Sequence, residues 1–238
     1  CSARWSSRAA PGPGVPDPSA FYWPLVFLHV LAFAYWLGGD FGVYVTGGYV
    51  ARADLPLAER LRFLDALMRI DILPRTGIVL LPVIGLQVAA LRGAIALPGW
   101  ALACTWTLGI AWLLLVWSVY RRRGTPFGET LQLVDVRLRM ALIAVLVAVG
   151  LWSLSGDGPV RERWLAAKFL TYAALLGIGL WLRTVIKGWV VAFAALRAGP
   201  DPAAERLIAE GLRRGRRGAY LFWAMIGATA YLGIAKPF

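Results

Sequence analysis

The only histidine in the chain, His29, lies inside a stretch without charge that runs from Pro18 to Gly39. An imidazole there can ligate haem iron or another metal, or carry a proton near neutral pH. The plainer role is a buried ring hydrogen-bonded to a neighbouring helix. Lys168 stands in a second apolar stretch, five positions beyond Arg163, and Gln87 stands five positions before Arg92. Cys104, Thr105 and Thr107 follow Pro98 in a third. Ionisable side chains cost several kcal/mol in hydrocarbon, so they are usually paired or functional. For Lys168 the alternative is snorkelling to the interface. For Gln87 and the Cys104 group it is packing or interhelical hydrogen bonding. Asp40 ends the first uncharged stretch and Arg75 opens the next, which suggests an Asp40–Arg75 ion pair, or else a proton or substrate route.

These residues need helices in a bilayer to position them. Of 238 residues, 59% are hydrophobic and 16% charged, and the mean hydropathy is +0.65. A soluble domain needs more polar surface. The apolar runs are continuous and reach the roughly 20 residues that cross a bilayer as a helix; they lack the period-two alternation of a barrel strand. The expected fold is all-α, a polytopic transmembrane bundle of six spans: 21–45, 73–91, the uncharged stretch 93–120, 139–154, 160–198 and 218–235. Residues 1–20, rich in Pro, Gly and Ser, read as an irregular tail before a single domain over 21–238. Cys1 opens the tail and would suit lipidation after signal cleavage; an arbitrary start is the alternative.

The net charge is +12, which in this setting reads as basic loops fixing orientation and not as a nucleic-acid surface. Eighteen of the 25 Lys and Arg fall in the connections between spans 1–2, 3–4 and 5–6, and six on the opposite side. That places both termini outside the cytoplasm, on one shared side as an even number of spans requires; the expected location is a bacterial cytoplasmic (inner) membrane. On this topology His29, Lys168, Gln87 and Cys104 share one outer layer, with His29 about 12 Å deep at 1.5 Å per residue. Two connecting segments are amphipathic. In 55–72, Leu57, Leu61, Leu64 and Met68 share a face, and Glu59/Arg62 and Asp65/Arg69 can pair on the other. The second is 201–214. Each would lie on the membrane, cap the bundle or stand in solvent. Gly38 and Gly42 give a GxxxG spacing suited to close helix packing. Trp23, Trp100, Trp117 and Trp164 fall near span ends, as in an interfacial belt.

FLHVLAFAYWLGG (27–39) and RIDILPRTGIVLLPVIGLQVA (69–89) resemble the CopD-like membrane superfamily, which includes copper-resistance proteins and the HemJ type of protoporphyrinogen oxidase. WLAAKFLTYAALLGIGLW (164–181) resembles the Trp–Leu–x–x–Lys helix of the HemJ type, and YLGIAKPF (231–238) the ending of uncharacterised members. The resemblance implies a b-type haem, with His29 as iron ligand and Lys168 beside it. Met68, Met140 and Met225 do not cluster, so a thioether copper pathway lacks ligands. No Walker loop, dinucleotide fingerprint, HExxH or serine elbow occurs. Three functions stay open: a haem-binding redox or proton-transfer protein, a non-catalytic structural or assembly subunit of a larger membrane complex, and a copper or small-solute permease.

The charge asymmetry carries its own test. Alkaline phosphatase fused after Phe238 is expected to be active in intact bacteria, and fluorescent protein fused there dark; the reverse pattern would invert the topology.

Overall fold

The computed structural model describes residues 18–238, and the expected tail, with Cys1, lies outside them up to residue 17. Seven helices follow: α1 (Pro18–Val50), α2 (Leu57–Ile70), α3 (Ile72–Leu91), α4 (Gly99–Arg121), α5 (Pro126–Ser155), α6 (Arg163–Ala198) and α7 (Pro202–Ala235). Counting α2 and α3 as one bent path, six helices are long and apolar enough to cross a membrane. The fold is all-α, with one isolated bridge, Ile95 to Val160, joining two connections.

Several helices outrun the expected spans, for readable reasons. Thr125 caps α5, its hydroxyl accepting from the Gly128 amide at 3.0 Å, with Pro126 in the first turn. This cap starts the helix thirteen residues before 139 and draws Asp135 into it. Asp201 caps α7 through the amides of Ala203 and Ala204 at 2.8 and 3.2 Å. The amphipathic segment 201–214 and the span 218–235 are therefore one helix. The stretch 160–198 is a single long helix from Arg163, as its composition suggested.

Neighbouring helices run α3–α1–α7–α6–α5–α4 and back to α3, a closed ring, with α2 against α1, α3 and α6. Trp36, Val79, Trp112, Tyr172, Leu176 and Phe222 fill its middle, and the Tyr172 hydroxyl donates to the Ile78 carbonyl across it. Outward side chains such as Phe27, Leu108, Leu114 and Val191 are each more than 60% exposed, a surface suited to lipid and costly in water. One end carries the connections 92–98 and 156–162, tied by Arg161 N–H to the Ala94 carbonyl at 3.1 Å. We call this the loop end; the other, with most of the arginines, is the basic end.

At the basic end α2 caps the bundle. Leu57, Leu61, Leu64 and Met68 pack on Val50, Trp189, Phe193 and Ile208. Arg60, 2% exposed, clamps it: its guanidinium donates to Glu205 of α7 at 2.6 and 2.9 Å and to the Val50 carbonyl at 3.0 Å. Of the surface pairs expected on α2, Arg69–Asp65 forms at 2.8 Å, and Arg123 joins Asp65 at 2.6 Å.

Of the expected Gly38/Gly42 spacing, close packing of α1 uses only Gly42, where a Cβ would lie 3.0 Å from Ile70 Cγ2. A Cβ at Gly38 would meet nothing within 4 Å. At Gly39 it would lie 2.5 Å from Pro74 Cδ, and at Gly77 2.8 Å from Trp36 Cβ and 3.1 Å from the Ala32 carbonyl. The register places Gly39 and Gly77 at the α1–α3 crossing and leaves Gly38 turned away. Gly77→Val is expected to destabilise by about 1–3 kcal/mol. Gly38→Ala is expected to be neutral or to gain up to about 1 kcal/mol. Thermal unfolding of the two variants in detergent reads the difference.

Candidate functional site

The loop-end half holds four of the residues singled out from sequence, His29, Lys168, Gln87 and Cys104. His29 rests on α3 with its Cε1 3.0 Å from where a Cβ on Gly85 would stand, so a side chain there would displace the ring by a few tenths of an ångström. Its Nδ1 is buried without a hydrogen-bond partner. The Lys168 Nζ sits 2.6 Å from the position a Cβ on Gly233 would take. Gln87 is occupied locally, accepting from Trp106 Nε1 at 3.1 Å. Cys104 is exposed on the outer surface of α4, away from this group. Lys236, beyond the last helix, lies over the Trp164 ring at 5.3 Å. Partial burial, then the nearby Arg92, holds its ammonium below the usual lysine value.

A denser site lies in the basic half. Asp135 of α5 is 1% exposed. Its carboxylate accepts from Trp112 Nε1 of α4 at 2.8 Å, from Arg139 Nε at 3.1 and 3.2 Å, and from Arg183 Nη2 of α6 at 2.7 Å. The Arg139 guanidinium also lies over the Trp112 ring, 5.1 Å from its centroid. One carboxylate thus ties three helices together. The expected Asp40–Arg75 pair gives way to a local one. Arg75 donates through Nε and Nη2 to Asp71 at 2.6 and 2.5 Å, because Asp71 stands one helical turn before it. Asp40 Oδ2 is left buried with no partner.

These groups surround a cavity of about 170 Å³ between α1, α6 and α7, with α3 and α5 behind. Asp40, Arg75, Arg139, Arg183 and Arg216 line it. Arg139 Nη2 and Arg183 Nη1 are buried donors without partners, and so is the indole nitrogen of Trp223, another lining residue. Buried polar atoms are rarely left unpaired without a reason. Two more lining residues, Tyr44 and Arg216, stand on the α1–α7 side. There the Tyr44 hydroxyl is 2.7 Å from that of Tyr220, and Arg216 sits over the Tyr44 ring at 5.7 Å.

Compared with protein-family models, curated proteins and solved structures, the chain matches none. The reading therefore rests on the chemistry of its own residues. Among the described residues no three of His, Cys, Asp and Glu gather as a metal-binding group. What the cavity offers is hydrogen-bond donors with positive charge and one free carboxylate oxygen.

Sequence reasoning missed Asp135, Arg183, Trp112, Asp71 and Arg216. It assigned Asp135 to a connection, since the span was started at Arg139. The signal was present: Thr125–Pro126 marks an earlier helix start, and Asp135 and Arg139 are then an i, i+4 pair inside it. Asp135→Asn would leave two buried guanidinium groups without their counter-charge and is expected to cost about 3–5 kcal/mol. Asp54→Asn, at the exposed Arg52–Asp54 pair, is expected to leave stability unchanged. Parallel thermal melts decide it.

Proposed function

We propose that the protein is a small-solute permease of the bacterial cytoplasmic membrane, on a scaffold of the CopD-like type, with the charged cavity as its binding site. One observation carries this: polar atoms from three helices, Asp40 Oδ2, Arg139 Nη2 and Arg183 Nη1, are buried without partners around one space. A bundle that needed these charges only for stability would pair them fully. Solute sites of transporters lie inside the bundle, where a ligand can complete such hydrogen bonds. The α1–α7 seam is the thinnest in the ring, which makes it the natural place to open. The cavity lining contains no Met, His or Cys, so a polar solute suits it better than copper.

A second reading rests on His29, whose Nδ1 is buried and unpartnered, and on the CopD-like resemblance. In it a b-type haem binds in the loop-end half, with His29 as iron ligand and Lys168 holding a propionate. Bound there, the haem would supply one-electron chemistry. A Soret band in the purified protein, lost in His29→Ala, would support it, and a colourless protein would end it. Membership of a larger membrane complex is compatible with either reading and is tested by what copurifies in mild detergent.

The permease reading is tested by filling the cavity. In proteoliposomes loaded with inorganic phosphate, lactate, glycerol or methylammonium, at least one solute is expected to cross faster than in protein-free vesicles. Ala219→Trp, which projects into the cavity, is expected to remove that flux. If no probe crosses faster, or if Ala219→Trp carries it undiminished, the reading fails.

A further inference from the structure

We infer that the cavity takes a small oxyanion that also carries a hydroxyl, such as a hydrogen phosphate or a 2-hydroxycarboxylate. This rests on the reading of the cavity as a solute site and names its substrate class.

The charges of the site are already partly spent. Asp71 is held by Arg75, and Asp135 by Arg139, Arg183 and Trp112. What remains is uneven: Arg139 Nη2, Arg183 Nη1 and Trp223 Nε1 as donors against a single acceptor, Asp40 Oδ2. The Arg139 side chain is 4% exposed and that of Arg183 12%, so water does little to relieve them. Each guanidinium has one edge fixed on Asp135 and another free. They come from different helices, α5 and α6. A ligand with several acceptor oxygens can meet both at once, as oxyanions meet arginine forks. A cation would face Arg75, Arg139, Arg183 and Arg216 with only Asp40 uncommitted. A neutral polar solute would leave the buried positive charge uncompensated.

Asp40 adds the second requirement. Asp40 lines the cavity together with Arg139 and Arg183, and its Oδ2 is buried without a partner. A hydroxyl on the ligand can donate to a carboxylate or accept from a carboxyl, so it suits either state of Asp40. Size sets the third limit. A cavity of about 170 Å³ is close to the roughly 150 Å³ that accommodates a benzene-sized molecule. Phosphate and three-carbon hydroxyacids fit; nucleotides and porphyrins do not.

The test is equilibrium dialysis of the full chain in nanodiscs against four radiolabelled probes: inorganic phosphate, lactate, methylammonium and glycerol. Saturable binding of phosphate or lactate, one per chain, is expected, and the two arms tell the phosphate source from the carboxylate one. Arg183→Gln is expected to weaken it about tenfold or more, the loss of a charged hydrogen bond. Lys187→Gln, an exposed cation one turn further along α6, is expected to leave it unchanged. Should Arg183→Gln fail to fold, the wild-type protein still reports: the binding oxyanion raises its unfolding temperature at matched ionic strength, and chloride does not. Binding of methylammonium or glycerol in place of the oxyanions would overturn the substrate class and leave the cavity reading standing. Equal loss in Arg183→Gln and Lys187→Gln would reduce the effect to surface charge and overturn the inference. If none of the four binds, the cavity reading falls too.

Discussion

A carboxylate cannot stay ionised inside a lipid-embedded bundle unless its neighbours replace water. Asp135 meets that demand with one indole and two guanidinium groups drawn from α4, α5 and α6. Removing two or three charges from water costs several kcal/mol per ion, so such a cluster adds little net stability. Its force is in selection: any register that moves α5 or α6 by a turn leaves a buried charge alone. The Trp112 ring serves twice, its N–H on the carboxylate and its face against Arg139. This arrangement uses only part of each arginine, and both line the cavity. The edges that face Asp135 fix the helices, and the edges that face away are left for something else.

The two ends of the bundle are held differently. At the loop end, Ala89, Ala94, Ile95, Val160 and Leu165 pack together, and backbone hydrogen bonds join the two connections. That end is tied by groups with no alternative partner. At the basic end ion pairs, the buried Arg60–Glu205 and the exposed Arg123–Asp65, add to the apolar packing of α2 on Val50, Trp189, Phe193 and Ile208, and between α1 and α7 the hydroxyls of Tyr44 and Tyr220 meet. Exposed ion pairs are weak and exchange readily with water. A molecule that had to open on one side would do so where exchangeable contacts hold it, between α1 and α7.

The helices were legible in the sequence because hydrocarbon leaves so few options: long apolar runs must be helices, and their number follows. Cap positions were legible in principle, since Asp201–Pro202 and Thr125–Pro126 are strong starts. The second does not show in hydropathy averages, which mark where a chain is greasy, not where a helix begins. The same averaging hid Asp135, which looked like part of a basic connection. Asp40 stands out in the sequence, but Arg75 turns from it to Asp71, the residue just before its own helix. Gly38 failed for a related reason. Spacing within one helix says which glycines share a face, but not that this face meets α3; Gly39, one residue along, does.

Some of the arginines that set the charge asymmetry are not loop charges. Arg60, Arg75, Arg139 and Arg183 are engaged in ion pairs within or against the bundle. A buried, neutralised arginine is a weak guide to which loops stay in the cytoplasm, since the rule counts short loops and span ends. Setting those four aside leaves 14 against 6. The asymmetry persists, carried by Arg121, Arg122 and Arg123 and by the run from Arg213 to Arg217. Orientation and site therefore draw on largely separate arginines, with Arg216 common to both. Replacing a site arginine should alter what the cavity holds without turning the protein over in the membrane.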